Sequence, residues 1–297
     1  MMSAAIIWGL SFVAQSKSVE LLGTFTFNGL RSLLGGIVLL PIIFISSAKK
    51  RKKLSADAQT VENKKEDRKK LIIGGISCGI PLFIGGNLQQ YAFNFTTVGK
   101  VGFITALYML IVPLLGLFLR KKVRPIVWIS VVMGAFGLYL LCVGGERATL
   151  GKGEWFALAC SVAFAVHILA IDKYSSIVDG IKLSCAQYIV AGRLSCVCMF
   201  IFETPQLSAI IAAAPYIAYT GIMSYAVAFT FQTLGQRDCE PAVASLLLCL
   251  ESVFATLFAW IILHQSLLLR EFIGCAIMFI AIILSQIEIK LPKRKKN

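Results

Sequence analysis

The sequence predicts an all-α polytopic membrane protein with about ten transmembrane helices, arranged as two inverted five-helix repeats. The 297 residues are 58% hydrophobic and only 15% charged, which is a composition typical of membrane proteins. The apolar residues fall in long blocks, and a helix needs ~20 such residues to cross ~30 Å of hydrocarbon. The first half of the chain also aligns with the second half. These three observations carry the fold prediction.

Ten apolar blocks follow one another along the chain, and we number them as the first to the tenth span. They lie near residues 3–16, 24–46, 71–92, 101–119, 125–143, 152–171, 181–202, 207–231, 241–263 and 267–287. The first block is short, so either this helix is stunted or the native N-terminus is longer. A cleaved signal peptide is the alternative, although no small-residue cleavage site follows the block.

The basic residues lie mostly on one side of the predicted membrane. If both termini are inside the cell, most of the 29 Lys and Arg fall in the loops after the even-numbered spans and in the C-terminal tail. The opposite loops hold only Lys17, Lys100, Arg147, Lys152 and Arg270. Because positive loops stay in the cytoplasm during insertion, we expect a plasma-membrane protein with both termini cytoplasmic. The basic loops should contact anionic lipid headgroups rather than nucleic acid.

The two halves align at an offset of 156 residues early in the chain, which falls to 140 residues later. Arg31 falls on Gln187 and, at a slightly shorter offset, Gly134 falls on Gly274. The offset shortens because a charged insert, at about residues 47–70, is found in the first half only. This insert is polar, and we expect it to be a solvated cytoplasmic loop.

The alignment predicts a first five-helix repeat at residues 1–143, a second at 151–290 and a basic cytoplasmic tail at 291–297. Because five is an odd number, the second repeat enters the membrane from the opposite side to the first. Inverted repeats of this kind are typical of transporters that work by alternating access. The sequence therefore favours a secondary transporter of a small molecule.

Four stretches of the sequence occur in an order and spacing that resemble a known family. They are Trp8-Gly-Leu-Ser-Phe-Val-Ala-Gln15, residues 25–31, residues 97–108 leading to Pro113, and residues 240–251. Together they make nearly the whole chain resemble the EamA-type members of the drug/metabolite transporter superfamily. The resemblance implies export or exchange of a small metabolite, amino acid or drug-like solute. The chain departs from the family pattern at Ser252, where proline is usual, and in its short first span.

Glu251 is an acid inside the ninth apolar block. A charged group in mid-span costs ~2.5–3.5 kcal/mol on insertion scales, so we expect Glu251 to face the protein interior or a water-filled cavity. There it either exchanges a proton or contacts substrate during transport, or it is a protonated acid that orders a helix junction. Arg31, one turn after Asn28 in the second span, either pairs with Glu251 or binds an anionic substrate.

Polar and aromatic residues at helical spacing mark further candidates for the substrate pathway. The predicted pathway residues besides Glu251, Arg31 and Asn28 are Trp8, Gln15, Asn87, Gln90, Tyr91, Tyr108, Gln187 and Tyr225. A mixed aromatic and amide lining suits small amphipathic or zwitterionic solutes. The alternative role for such residues is hydrogen bonding between helices.

The sequence contains none of the usual motifs of enzymes, metal sites or ATP-driven pumps. Its nine cysteines lie mostly within apolar blocks, and His167 and His264 are far apart. We therefore predict no enzyme activity, no cofactor and no metal. Gly75 and Gly79 form a G-x-x-x-G pattern that allows close packing either between the halves or in a homodimer. A channel or an uncoupled facilitator is the alternative to a coupled carrier.

Overall fold

The computed structural model of the protein describes residues 1–53, 61–120, 123–142, 151–263 and 268–286. The described residues form ten helical segments, one for each predicted span. The segments are, in chain order, Met2–Ser18; Thr24–Lys53; Val61–Ala92; Val98–Ala106 with Tyr108–Phe118; Pro125–Cys142; Lys152–Ser175; Gly180–Phe202; Leu207–Ala212 with Ala214–Tyr219, Thr220–Phe229 and Thr230–Gln236; Pro241–Leu248 with Leu250–Leu263; and Leu269–Gln286. The fold class predicted from the sequence is confirmed.

The charged insert at residues 47–70 differs from the solvated loop that the sequence predicts. The second helix continues to Lys53, and the third already begins at Val61. The insert is rich in Lys and Glu, which favour helix, and Glu66 pairs with Lys70 one turn away at 2.8 Å. The insert is therefore helical at both ends, whereas residues 54–60 lie outside the described residues.

Three other parts of the sequence are not described by the structure. The linker at residues 143–150, His264 and the basic tail at 291–297 all lie outside the described residues.

The described helices have the length and the surface of a multi-pass membrane protein. Five are long and apolar enough to cross a membrane by length and composition, namely Thr24–Ala48, Glu66–Ala92, Val98–Phe118, Lys152–Ser175 and Gly180–Phe202. Pro125–Leu140 and Pro241–Ala255 are shorter apolar helices. Large apolar side chains point outward, as Phe118 does with 86% of its surface exposed. Such a surface is stable against lipid and would be a liability in water.

Packing between the helices follows the inverted repeat. The first span packs on the ninth, and correspondingly the sixth span packs on the fourth. The second span packs on the seventh and the fifth on the tenth, so each of these pairs joins equivalent helices of the two halves. Gly75 and Gly79 lie in the interface between the halves. An added Cβ atom would stand 2.7 Å from Ala186 Cβ and 2.6 Å from Val190 Cβ, respectively.

Two equivalent spans are broken near the centre of the bundle. The fourth span is interrupted at Leu107 and the ninth at Cys249. The two breaks meet, because the Cys249 thiol donates a hydrogen bond to the backbone oxygen of Ala106 at 3.3 Å. The eighth span contains the π-helical stretch Thr220–Phe229. π-helical turns are frequent at functional sites, and these irregular segments surround the cavity described next.

Candidate functional site

A cavity lined by buried residues lies between the two halves of the protein. Seven spans line it, four from the first half and three from the second. Its lining residues are Trp8, Phe12, Gln15, Arg31, Gly86, Gln89, Thr105, Tyr108, Phe164, His167, Ile168, Ser224, Tyr225, Phe229, Gln232, Leu248 and Glu251. The space between these atoms is about 550 Å³, but room for the centre of a water molecule is only about 50 Å³. The cavity is therefore narrow in this conformation.

Glu251 is positioned by the break in the ninth span. The break at Cys249 places Glu251 in the first turn of the helix Leu250–Leu263, where its side chain is only 6% exposed. The hydroxyl group of Tyr108, the first residue after the break in the fourth span, donates a long hydrogen bond of 3.4 Å to Glu251 Oε1. The paired breaks thus bring one residue from each half together at the cavity wall.

The backbone next to Glu251 is approached closely by the first span. A Cβ atom added to Gly9 would lie 3.0 Å from the backbone oxygen of Glu251 and 2.8 Å from the backbone nitrogen of Ala255. Only glycine leaves room for this contact. The first span therefore fixes the position of the ninth span at the level of the acid.

Arg31 contributes a positive charge to the cavity, with only 3% of its surface exposed. Its Nε group donates to Asn28 Oδ1 at 2.7 Å. The guanidinium carbon lies 4.8 Å from the centre of the Phe27 ring and 5.2 Å from that of Tyr225. Within the described part of the chain, Arg31 and Glu251 form no ion pair with each other. The arginine is held instead by an amide and two aromatic faces, which suit a guanidinium.

A chain of amides supports Arg31 from behind. Asn28 donates from Nδ2 to Asn87 Oδ1 at 3.1 Å and to the backbone oxygen of Gly86 at 3.2 Å. Asn87 in turn donates to Ser195 Oγ at 3.0 Å. The chain joins the second, third and seventh spans, so it fixes the guanidinium across both halves.

The predicted pathway residues fall into two groups. Trp8, Gln15, Arg31, Tyr108, Tyr225 and Glu251 line the central cavity. Asn28, Asn87, Gln90, Tyr91 and Gln187 do not line it. Gln90 donates to Ser18 Oγ at 2.9 Å, so it joins helices in the way that the alternative role describes.

A second pocket opens at the end of the bundle that the charge bias predicts to be extracellular, which we call the outer face. Asn87 and Tyr91 of the third span and Asn94, just after it, line this pocket. The space between its lining atoms is about 1580 Å³, against about 550 Å³ for the central cavity. Glu203 also lines the outer pocket, and its carboxylate accepts hydrogen bonds of 2.8 Å from the backbone N–H groups of Phe25 and Thr26. Glu203 therefore caps the second helix from the opposite half.

Sequence reasoning missed several lining residues, including Gln89, His167, Phe229 and Gln232. His167 was considered only as a metal ligand, although it occupies the cavity wall. The sequence could have predicted the lining residues of the eighth span. The spacing of Tyr225, Phe229, Gln232 and Gln236 places them on one face of a helix. The buried face of that span is aromatic at one end and amide-rich at the other.

The fold and the cavity define a multi-pass membrane protein built from two inverted five-helix repeats around a central polar site. The chain belongs to the EamA-like transporter family, whose sequence profile matches residues 1–143 and 151–286, one match in each half. This match confirms the resemblance to the drug/metabolite transporter superfamily that the motifs indicate.

Similar proteins are also named as transporters. An uncharacterized transporter of Archaeoglobus fulgidus is 24% identical over 286 residues, which cover 96% of this chain and 84% of that protein. The uncharacterized transporter YoaV of Bacillus subtilis is 24% identical over 282 residues, covering 93% and 91% of the two chains. These names indicate a transporter rather than an enzyme.

A solved crystal structure has a similar fold. It superposes with a TM-score of 0.74, covers 96% of this chain and 94% of its own, and is 19% identical in sequence. At this low identity the likeness concerns the fold alone.

Proposed function

We propose that the protein is a secondary transporter, which exports or exchanges a small solute across the plasma membrane by alternating access. The observation that carries the proposal is the cavity itself, because it lies between inverted halves and holds a buried cation and a buried acid that do not pair with each other. Buried charges are costly unless something satisfies them. A solute with an anionic end near Arg31 and a cationic or hydrogen-bonding end near Glu251 would satisfy both.

Alternating access gives the inverted architecture a physical role. The two halves pack through equivalent helix pairs, so an exchange of their conformations would produce a state open to the other face. The narrow cavity and the closely packed glycine contacts fit a carrier that encloses its solute. They do not favour a continuous water-filled pore.

Proton coupling through Glu251 forms the second part of the proposal. A carboxyl group that faces the cavity can give up a proton when water enters and regain it when the solute leaves. Its weak hydrogen bond to Tyr108 Oη leaves the acid able to change partner during the cycle.

The test is substrate-evoked proton flux in proteoliposomes that contain a pH-sensitive dye. Amino acids, polyamines and cationic drugs are added in turn to the wild type and to Glu251→Gln. Glu240→Gln is the matched control, because Glu240 precedes the same span and pairs at the surface with Arg124 at 3.4 Å. We expect solute-evoked flux in the wild type and the control and none in Glu251→Gln.

Two other outcomes would change the proposal. Equal movement of labelled solute in all three proteins without proton movement would make Glu251 structural and the protein a facilitator or exchanger. Flux that does not saturate with solute concentration would indicate a channel.

A further inference from the structure

Four buried polar atoms of side chains that line the cavity have no hydrogen-bond partner among the described residues. One of them, Gln15 Oε1, belongs to a residue two helical turns beyond Trp8 on the first span. The other three are Trp8 Nε1, His167 Nδ1 and Gln232 Oε1. The three side chains are 9%, 1% and 2% exposed, and all line the cavity. We call this set the His167 subsite. Buried polar atoms nearly always have a partner, because leaving one unpaired is unfavourable.

The side chain of Phe229 holds the subsite together. Its ring centre lies 4.6 Å from that of Trp8 and 5.9 Å from that of His167. Gln232 follows Phe229 by one helical turn, so its side chain projects from the same face of the eighth span. The three side chains that carry the unpaired atoms are therefore neighbours of one aromatic ring.

A hydrogen-bond chain determines which ring nitrogen of His167 is an acceptor. The Thr233 hydroxyl donates to the backbone oxygen of Phe229 at 2.9 Å, so it accepts the bond of 3.4 Å from Gln187 Nε2. Gln187 Oε1 is then left to accept a bond of 2.8 Å from His167 Nε2. Because Nε2 carries the hydrogen, the neutral ring presents Nδ1 as an acceptor.

A second chain fixes the amide of Gln232 in the same way. Gln236 Nε2 donates to the backbone oxygen of Ile168 at 3.3 Å, which leaves Gln236 Oε1 as an acceptor. Gln232 Nε2 donates to that oxygen at 2.9 Å. Gln232 Oε1 is therefore a second acceptor, whereas the indole N–H group of Trp8 can only donate.

The subsite thus offers two acceptors and one donor beside an aromatic ring. A primary carboxamide is the complementary group, since it has two N–H donors, one carbonyl acceptor and a planar shape that packs on a ring. We propose that the His167 subsite binds a primary carboxamide of the transported solute and selects for it. This inference rests on the proposed transport function, and it adds the chemistry of one end of the solute.

The test compares solutes that differ only at the amide position. Nicotinamide is paired with 3-acetylpyridine, which lacks the N–H donors, and L-glutamine is paired with L-norleucine. Binding to the full-length protein in detergent is measured by calorimetry, and uptake of the same labelled compounds is measured in proteoliposomes. We expect at least one carboxamide to bind about tenfold more tightly than its partner, because the partner leaves acceptors unpaired.

Two variants of the subsite and one control variant test whether the carboxamide preference arises at the His167 subsite. Gln232→Met keeps the length of the side chain but removes an acceptor for the amide N–H groups, so it should reduce the preference in both solute pairs to about onefold. Trp8→Phe keeps an aromatic ring but removes the donor to the amide carbonyl, which 3-acetylpyridine shares with nicotinamide. It should therefore weaken both pyridines alike and lower the preference for L-glutamine over L-norleucine. Gln90→Met is the matched control, since it also removes a buried amide but lies outside the cavity; its preference should equal that of the wild type.

The outcomes separate this inference from the proposed function. Equal binding within both solute pairs, or a preference that persists in Gln232→Met, would overturn the inference. Carboxamide-selective binding without uptake would support the subsite and count against transport of these solutes. Uptake without any amide preference would support transport and refute the subsite.

Discussion

Replacing glycine with alanine should have opposite effects at two positions of the central bundle. Alanine is favoured over glycine within a helix by about 1 kcal/mol, so the sign depends on the space for the new Cβ atom. At Gly102 the nearest atoms would be Phe12 Cε1 and Ser252 Oγ, both at 3.8 Å, which is ordinary contact. Gly102→Ala should therefore stabilise the protein by roughly 0.5–1 kcal/mol.

At Gly9 the same change meets the backbone of the ninth span. The added Cβ would stand 2.8 Å from the nitrogen of Ala255, 2.9 Å from Phe254 Cβ and 3.0 Å from the oxygen of Glu251. Backbone cannot rotate away, so the overpacking cost should be near ~3 kcal/mol. After the gain in helix propensity, Gly9→Ala should lose about 2 kcal/mol of stability.

Thermal unfolding in detergent measures both changes. For a chain of this size, about 2 °C per kcal/mol is expected, so Tm should fall by about 4 °C in Gly9→Ala and rise by about 1–2 °C in Gly102→Ala. Under the proposed alternating-access cycle, solute-evoked flux should also fall in Gly9→Ala, because the tighter contact would hinder movement of the ninth span at Glu251. A Tm for Gly9→Ala at or above that of the wild type would refute the packing argument.

Three further predictions concern the helix cap at Glu203, the buried cation Arg31 and the break in the ninth span at Cys249. Glu203→Ala should lower Tm by about 3 °C, because two backbone N–H donors of the second helix lose their acceptor. Glu20→Ala is the control, since it removes only an exposed ion pair, and it should change Tm by less than about 1 °C. Equal shifts in the two variants would contradict the capping role of Glu203. Arg31→Lys keeps the charge but loses the Nε bond to Asn28 and the stacked plane, so flux at low solute concentration should fall about tenfold, while unchanged flux would make the charge alone sufficient. Alkylation of the buried Cys249 thiol, followed by mass spectrometry, should be at least about tenfold slower than that of the half-buried Cys239, and similar rates would place Cys249 in an open path.

Hydrophobicity made the fold predictable from the sequence. Lipid requires long apolar helices with internally satisfied backbones, so the blocks show directly in the residue types. The breaks at Leu107 and Cys249 left no such trace, because neither residue is glycine or proline and the interruption depends on packing. The helical ends of the charged insert were also missed, because polar composition was taken to mean loop although Lys and Glu favour helix.

The position of a candidate residue around its helix was harder to predict than its polarity. Glu251, Arg31 and Trp8 line the central cavity. Asn87 and Tyr91 are spaced one turn apart and form a polar stripe on the third span, but they line the outer pocket. A stripe shows that side chains share a face, and it does not show which neighbouring helix that face meets. His167 was overlooked because a single histidine has no periodic pattern, and its role at the wall depends on Gln187 and Phe229, which are distant in sequence.

The charged residues of the cavity wall come one from each half of the chain. Arg31 belongs to the first repeat, whereas the second repeat has neutral Gln187 at the aligned position and supplies Glu251. Two identical five-helix halves would carry each charge twice, related by symmetry. This chain carries each charge once, so the cavity wall is cationic on the side of Arg31 and acidic on the side of Glu251. If the protein transports a solute with two unlike ends, as proposed, that solute has one preferred orientation in the cavity.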